Sequence, residues 1–251
     1  MARQKGILEI TGTMGNITFY KSQDGMLVKE KSEVSKDKIM SSPAFERTRE
    51  NMQEFGNAGK SAKLLIDSVR TFMLSASDNR VTSRLAQTMR NVLKQDLIST
   101  RGQRTVAAGI KTDPGKALLA HFNFNKNSLL GSVLYRPYAL DTATGEISIS
   151  QLIPSDHIAG PKGASHVSIS CAFATVDFNT GKSSTEYSDA VQLPLDTNPV
   201  NITLAPNAIP AATPDTIAFY FIKMEFYQEV NGAKYTLNNN GFNCLELIDV
   251  L

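Results

Sequence analysis

Tryptophan is absent from the chain, and cysteine and histidine are scarce, with two cysteines and three histidines in 251 residues. His121, His157, His166, Cys171 and Cys244 share no spacing typical of a zinc site, such as C-x-x-C or H-x-x-x-H. The sequence therefore predicts no metal site and no disulfide framework. We expect both thiols to be buried in strands within a reducing compartment.

Long apolar runs are also missing. No stretch approaches the roughly 18 apolar residues that a membrane-spanning helix needs. The first nine residues include basic side chains but neither an apolar core nor a cleavage site, so they do not predict a secretory signal. We expect a protein made in the cytoplasm and not inserted into a membrane, with its final location left open.

Motifs for phosphate binding and nucleophilic catalysis are lacking as well. The sequence has no G-x-S-x-G, and Cys171 falls inside a predicted strand. Gly59-Lys60-Ser61 resembles the end of a P-loop, but Glu54 stands where that motif has its first glycine. These absences predict a protein that is not an enzyme and uses no cofactor.

Charge is distributed unevenly, although the net charge is only +2. Residues 1–116 hold 20 Lys and Arg against 12 Asp and Glu, and the remainder holds 6 against 12. The basic residues 1–116 and the acidic residues 117–251 can attract each other within one molecule or head to tail between molecules.

Residues 42–97 predict a long helical hairpin. Ser42 and Pro43 are typical of a helix start, and serines with Asp78 end the first helix near Ala76. Apolar and small residues spaced mostly three and four apart predict one buried face for that helix. This predicted face consists of Phe45, Met52, Phe55, Gly59, Ala62, Ile66, Val69 and Met73. A second helix to about Leu97 carries Val81, Leu85, Met89, Val92 and Leu93.

Small residues crowd the middle of the first helix. An interior glycine costs roughly 1 kcal/mol relative to alanine, so glycines there predict close approach of another backbone. That backbone belongs either to a neighbouring element of the same chain or to a second subunit. The predicted contact residues are Gly56, Gly59, Ala62 and Ile66, with Phe19 and Tyr20 nearer the amino terminus.

Two β regions flank the hairpin. Residues 6–31 predict a three-stranded meander with turns at Gly12–Asn16 and Gln23–Gly25. After Thr112–Gly115, short apolar runs punctuated by turn residues predict an antiparallel β-sandwich. Its predicted strands are Leu119–Phe124, Leu130–Leu134, Glu146–Leu152, His166–Phe178, Asp189–Pro194, Asn201–Leu204, Thr216–Glu229, Ala233–Leu237 and Asn243–Leu251. We therefore predict an α+β protein with domains at 1–115 and 116–251.

Two other functions remain open from the sequence. A basic stripe on the second helix and its exit predicts contacts to the phosphates of a nucleic acid. Its members are Arg80, Arg84, Lys94, Arg101 and Arg104. The second alternative is a sandwich that binds carbohydrate or peptide through loops near Tyr135, Tyr138 and Asp156, although without tryptophan for sugar stacking.

Several stretches together resemble a family of uncharacterised Bacteroidetes proteins. They are Lys5–Ile7, Gly12–Lys21, Pro43–Asn51 with Glu54–Gly56, Ser132–Tyr138 and Glu225–Gly232. The resemblance runs over nearly the whole chain and implies a bacterial origin, but no activity or catalytic residue. We expect a structural, self-associating protein of a bacterial assembly, for example a phage-like one.

Overall fold

The computed structural model describes residues 2–4, 9–31, 34–237 and 241–251. The chain forms two compact units, Met1–Glu50 and Asn51–Leu251, and the division falls within one helix, α2 (Glu46–Ser68). Helices and antiparallel sheets occur together, which confirms the predicted α+β class.

The amino-terminal unit contains a four-stranded antiparallel sheet followed by short helical segments. The strands are β1 (Ala2–Arg3), β2 (Gly12–Met14), β3 (Ile17–Ser22) and β4 (Gly25–Glu30), in the order β1-β4-β3-β2. Helix α1 (Lys36–Ser41) and a 3₁₀ turn (Pro43–Phe45) lead into α2.

The amino-terminal sheet differs from the predicted meander at its start. Residues 6–8 of the predicted first strand lie outside the described residues, and Glu9–Thr11 are not in a strand. The segment from Gly12 was predicted as a turn but begins as β2, because a two-residue turn at Gly15-Asn16 brings Met14 opposite Ile17. The predicted turn around Asp24 is confirmed, with Ser22 paired to Gly25.

The predicted long helix is interrupted. Pro43 opens a 3₁₀ turn, and the Ser42 side chain makes no capping hydrogen bond. After α2, the chain leaves helical geometry at Val69 before α3 (Arg70–Met73). The second helix, α4 (Val81–Leu93), ends four residues before the predicted end at Leu97.

The buried face of α2 agrees with the predicted one only from Ala62 onward, where Ala62 is buried and Ile66 packs against the helical core. Met52 and Phe55 are exposed, whereas Glu54, Ser61 and Ser68 are buried. The fully or nearly buried positions of α2 are Glu54, Ala58, Ser61, Ala62, Leu65 and Ser68. A pattern of apolar residues alone misses part of this face because half of it is polar.

The buried polar groups on α2 are satisfied by other parts of the chain. Glu54 accepts a hydrogen bond from the Gly102 backbone N–H at 2.8 Å. The Ser68 hydroxyl donates to the Leu65 carbonyl at 2.8 Å, and the Ser68 carbonyl accepts from the Tyr187 hydroxyl at 3.3 Å. Burial of these groups is therefore not costly, as it would be without partners.

The carboxy-terminal unit holds short helices and two further sheets. Its remaining helices are α5 (Val106–Gly109), α6 (Asp113–Ala117), α7 (Leu130–Val133) and α8 (Pro154–His157). Its strands are β5 (Phe122–Asn123), β6 (Ala139–Leu140), β7 (Ile147–Leu152), β8 (His166–Asp177), β9 (Lys182–Tyr187), β10 (Val191–Pro194), β11 (Val200–Leu204), β12 (Ile217–Val230), β13 (Ala233–Thr236) and β14 (Cys244–Val250).

This unit is built in three layers. A seven-stranded antiparallel sheet has the order β10-β8-β12-β14-β5, with β9 paired to β8 and β13 to β12. A three-stranded sheet, β11-β7-β6, covers one face, and the helices cover the other. The two packed sheets form the predicted β-sandwich, and the helices add a layer to it.

The central strands β8 and β12 are buried on both faces. Val167, Ile169 and Cys171 point into the core shared with the three-stranded sheet. Ala172 and Ala174 point into the core shared with α2 and α4. Alternate side chains of one strand therefore belong to two separate hydrophobic cores.

Sequence patterns failed for a few short elements of this unit. The predicted strand at Leu130–Leu134 is helix α7. The strand β9, which pairs with β8, was not predicted because Lys182–Tyr187 is mostly polar. Polar composition suits this strand because every one of its side chains keeps some contact with solvent.

The helical core continues across residue 115. Leu65, Leu85 and Val92 of the helices share one cluster with Phe219 and Leu247 of the central sheet. The predicted boundary between domains at 115 and 116 stays a prediction, and the helices after Glu50 lie in the same compact unit as the strands.

Glycines in two places test this packing. At Gly59 on α2, an added Cβ would meet nothing within 4 Å, whereas at Gly109 on α5 it would lie 2.1 Å from the Val92 carbonyl oxygen of α4. We expect Gly59→Ala to raise the free energy of unfolding by about 1 kcal/mol. Gly109→Ala should lower it by roughly 1–3 kcal/mol because the helices must separate.

Chemical denaturation of both variants measures the difference. Equal effects of the two substitutions would contradict the close approach of α4 and α5.

Candidate interaction surface

One side of α2 presents apolar and small residues to solvent. Met52, Phe55, Gly56 and Gly59 are three and four residues apart and therefore lie on one face. Phe55 is 60% exposed, and the space above both glycines is open. A helix in a folded protein normally turns such a face inward, so this stripe is available for a partner.

The segment after α4 forms a loop organised by one carboxylate. Asp96 is buried and accepts hydrogen bonds from the backbone N–H groups of Ile98 (3.1 Å), Ser99 (2.9 Å) and Thr105 (3.0 Å). Burial alone would raise the pKa of Asp96, but the hydrogen bonds from Ser99, Thr105 and Ile98 lower it below its ordinary value. The Asp96 carboxylate therefore holds both ends of the loop.

The same loop is fastened to the exposed end of α2. The Gly102 N–H donates to the buried Glu54 carboxylate, and the Arg101 guanidinium donates to the Asn51 side chain at 3.1 Å. Asn57 accepts from the Val106 N–H at 3.3 Å. Residues 96–105 and the first turns of α2 after Glu50 therefore form one structure.

This loop exposes two large aliphatic side chains. Leu97 is 87% exposed and Ile98 is 94% exposed, although the backbone beneath them is fixed by Asp96. Adjacent exposed apolar side chains such as these two are typical of interaction sites. We name the set Met52, Phe55, Gly56, Gly59, Leu97 and Ile98 the helix–loop surface. Leu97 and Ile98 were missed in the sequence analysis, although two adjacent apolar residues inside a polar break were a usable signal.

The predicted contact residues fall in three different environments. Gly56 and Gly59 lie on the helix–loop surface, and no described part of the chain fills the space above them. Ala62 is buried, and Ile66 packs against the helical core. Whether Gly56 and Gly59 meet a second subunit stays a prediction.

Phe19 and Tyr20 occupy opposite faces of the amino-terminal sheet. They are adjacent in β3, so their side chains alternate, and Tyr20 lies beneath the Lys29 ammonium at 5.5 Å. A single interface on this sheet can therefore include only one of the two aromatic rings.

Arg84, from the predicted basic stripe, serves the fold. Its guanidinium pairs with the Asp78 carboxylate and lies 5.1 Å over the Phe122 ring. It also donates to the carbonyls of Asn123 (2.8 Å) and Phe124 (3.1 Å). These contacts join α4 to the start of β5 and leave Arg84 poorly placed for a phosphate.

The other members of the stripe have different surroundings. Arg80 and Lys94 are exposed, and the Lys94 ammonium lies 3.5 Å from the Asn91 side chain. Arg101 is exposed and bound to Asn51, and Arg104 is half-buried. Their contact with nucleic acid stays a prediction.

The two tyrosines named for the carbohydrate or peptide alternative differ in their exposure to solvent. The Tyr135 side chain is exposed, and its hydroxyl donates to the Ser132 carbonyl at 3.1 Å. Burial, followed by the carboxylates of Glu246 and Asp249, raises the pKa of Tyr138 to about 12. Asp156 is exposed on α8.

A cavity of about 490 Å³ lies between β8, β9 and the loop before β12. Asp177 in its wall already accepts hydrogen bonds from the Thr180 hydroxyl (2.7 Å) and the Asn179 N–H (2.8 Å). The Thr175 hydroxyl donates to the Ala211 carbonyl at 2.6 Å. The polar atoms named here close the turn and anchor the loop, and they do not converge on one point.

Ser165, His166 and Glu229 have the residue types of a hydrolytic triad. Ser165 Oγ lies 2.9 Å from His166 Nδ1, and His166 Nε2 lies 3.3 Å from the Glu229 carboxylate. However, Ser165 Oγ also accepts from the Glu229 backbone N–H at 2.8 Å, and the Ser165 N–H donates to the Tyr227 carbonyl. The cluster therefore bridges β8 and β12, and we assign it a structural role.

Both cysteines are free and buried, as predicted. Burial raises the pKa of the Cys171 thiol to about 11 and that of Cys244 to about 12. A thiol in this state is a poor nucleophile at neutral pH.

Neither a metal-binding cluster nor a helix able to span a membrane is present in residues 2–4, 9–31, 34–237 and 241–251. Within them, no three His, Cys, Asp or Glu side chains come together in a way that could hold a metal ion. No helix in the same ranges combines the length and apolar character needed to cross a membrane.

No family model, curated protein or solved structure matches the chain.

Asp96 makes a testable contribution to stability. Because its pKa is lower in the folded chain, its ionised form stabilises the fold above the ordinary pKa of 3.8. That stabilisation is lost as pH falls through the lower folded value. We expect Asp96→Asn to cost roughly 1–3 kcal/mol at pH 7 and nothing comparable at pH 2.

Urea denaturation at the two pH values measures the difference. Fast amide exchange at Ile98, Ser99 and Thr105 in the variant should accompany it. An unchanged exchange pattern at those three amides would show that Asp96 does not organise the loop.

Proposed function

We propose that this protein is a non-enzymatic structural component that self-associates within a larger bacterial assembly. The observation that carries the proposal is the helix–loop surface, where Phe55, Leu97 and Ile98 are exposed on rigid backbone. Side chains of this kind, held in place before binding, bury apolar area at little conformational cost.

Charge within the carboxy-terminal unit supports contact between copies. Residues 51–116, which form the helical layer, carry 11 Lys and Arg but only 5 Asp and Glu. Three of those five carboxylates, Glu54, Asp78 and Asp96, are buried in internal hydrogen bonds. The solvent-facing side of the helical layer is therefore strongly basic.

The opposite layer is acidic. Residues 139–159 and 195–204, which form the three-stranded sheet and its turns, contain no Lys or Arg. They contain Asp141, Glu146, Asp156 and Asp196, of which the first and third are exposed. Basic and acidic layers on opposite sides of one sheet favour head-to-tail contact between copies, which extends into a ring or a filament.

We further propose that the assembly is a phage-like one. An assembly component with opposite charges on its two sides adds further copies in a fixed direction. Such growth suits a tube, a sheath or a fibre, where each copy contacts its neighbours through two different surfaces.

Nucleic-acid binding is the second candidate, because the helical layer is basic. The exposed apolar side chains of Phe55, Leu97 and Ile98 favour a protein partner, since phosphates contribute no apolar contact area. The two candidates also differ in salt dependence: phosphate binding falls steeply with added salt, whereas apolar burial persists.

We predict that Leu97→Asp weakens self-association by about 30-fold or more, as expected for a hot-spot residue worth about 2 kcal/mol. The fold should be unaffected because Leu97 is 87% exposed. Sedimentation velocity across protein concentrations and at low and high salt measures the change.

Ile209→Asp is the matched control, since Ile209 is also apolar and 65% exposed but lies in the loop before β12. It should leave association unchanged. A wild-type protein that stays monomeric at all concentrations, or equal effects of the two substitutions, would refute the proposal. Binding to DNA with a steep salt dependence and no self-association would favour the second candidate.

A further inference from the structure

We propose that the apolar face of the amino-terminal sheet docks against the same face of a second copy of this chain. The inference rests on the proposed self-association and assigns it a specific surface. It is carried by the burial, the register and the charges of β2, β3 and β4.

No side chain is buried among the described residues of the amino-terminal unit, 2–4, 9–31 and 34–50, and each keeps at least intermediate exposure. A sheet of three or four strands needs a covered apolar face to be stable in water. The sheet therefore presents a face that gains stability when it is covered.

Strand register shows which residues share that face. Phe19 pairs with Val28, Ile17 pairs with Glu30 and Met14, and Lys21 pairs with Met26. Directly opposed residues point the same way in an antiparallel sheet. One face therefore carries Met14, Ile17, Phe19, Met26 and Val28.

The other face of the sheet is mostly polar. Thr18 pairs with Lys29 and Thr13, and the hydroxyls of Thr13 and Thr18 lie 3.1 Å apart. Tyr20 is opposite Leu27 on this side. The contrast between the two faces is typical of a sheet that packs against one partner layer.

Two side chains of the apolar face are well exposed. Met14 is 68% exposed and Ile17 is 45% exposed. A shallow hollow of about 350 Å³ lies beside Ile17 and is lined by Ala2, Ile17, Val28, Lys29 and Glu30.

Charge selects a second copy as the occupant. Lys21 lies at one end of the apolar face and Glu30 at the other, with Phe19 and Val28 between them. A two-fold axis across the strands reverses their direction in the partner. It places the Lys21 end of each copy over the Glu30 end of the other, so the face is complementary to itself.

Lys21 and Glu30 remain accessible for such pairing. The Lys21 ammonium lies 3.9 Å from the Glu9 carboxylate, and both side chains are about 70% exposed. A contact of that kind contributes little stability. Pairing at the rim of an apolar interface, where water is partly excluded, gives Lys21 a better partner.

The size of the face sets the expected affinity. The four strands have 2, 3, 6 and 6 residues, which at the usual spacing and rise span about 270 Å². This is about a third of what a stable interface uses on each partner. The sheet contact is therefore expected to be a weak, two-fold contact.

Charge reversal in the full-length protein tests the interface. Lys21→Glu and Glu30→Lys should each weaken association about five- to tenfold, because each places like charges together across the two-fold axis. The double variant restores opposite charges and should regain wild-type association. Both positions are exposed, so thermal unfolding should not change.

Lys29→Glu is the matched control, because it makes the same charge change on the polar face of the same sheet. It should leave association unaltered. Met14→Lys provides an independent variant, because Met14 is exposed at the apolar face. Docking would bury the charge of the new lysine, so this substitution should also weaken association.

The outcomes separate this inference from the proposed function. If the double variant fails to rescue, or Lys29→Glu weakens association equally, this interface is wrong. Self-association that still responds to Leu97→Asp would then leave the proposed function intact. A wild-type protein that is monomeric at every concentration would overturn both.

Discussion

The carboxy-terminal unit depends on two long strands that are buried on both faces. Alternate side chains of β8 and β12 enter two separate cores, with Phe173 and Tyr220 stacked on one side and Phe219 on the other. A sheet that is apolar on both faces needs a covering layer on each. The helices supply one layer and the three-stranded sheet supplies the other, so segments of opposite charge lie on opposite sides of the carboxy-terminal unit.

The helical layer is basic largely because its carboxylates serve internal structure. Glu54 holds the loop after α4, Asp96 orders that loop, and Asp78 joins α4 to β5 through Arg84. Each of these carboxylates accepts a hydrogen bond from a backbone N–H group that would otherwise lack a partner. The same bonds fix the backbone under Leu97 and Ile98, so one set of interactions creates both the positive surface and the exposed apolar side chains.

Much of the architecture could be predicted from periodicity and turn residues. Strand alternation around Cys171 and the turn near Asp24 were readable because short-range geometry decides them. The buried face of α2 was readable only from Ala62 onward, since the burial of Glu54 depends on a hydrogen bond from Gly102, which is distant in sequence. Gly56 and Gly59 are open to solvent, but their contact with a second subunit stays a prediction. The exposure of Leu97 depends on a loop whose hydrogen bonds no local pattern reveals.

We propose that exposed surfaces, and not reacting groups, perform the function of this protein. Hydrogen–deuterium exchange of the full chain at micromolar and near-millimolar protein concentrations tests it most directly. The account predicts that higher concentration slows exchange in residues 96–105 and in β3 and β4, while the amides of β8 and β12 stay equally protected throughout. Exchange that does not depend on concentration anywhere in the chain would contradict it.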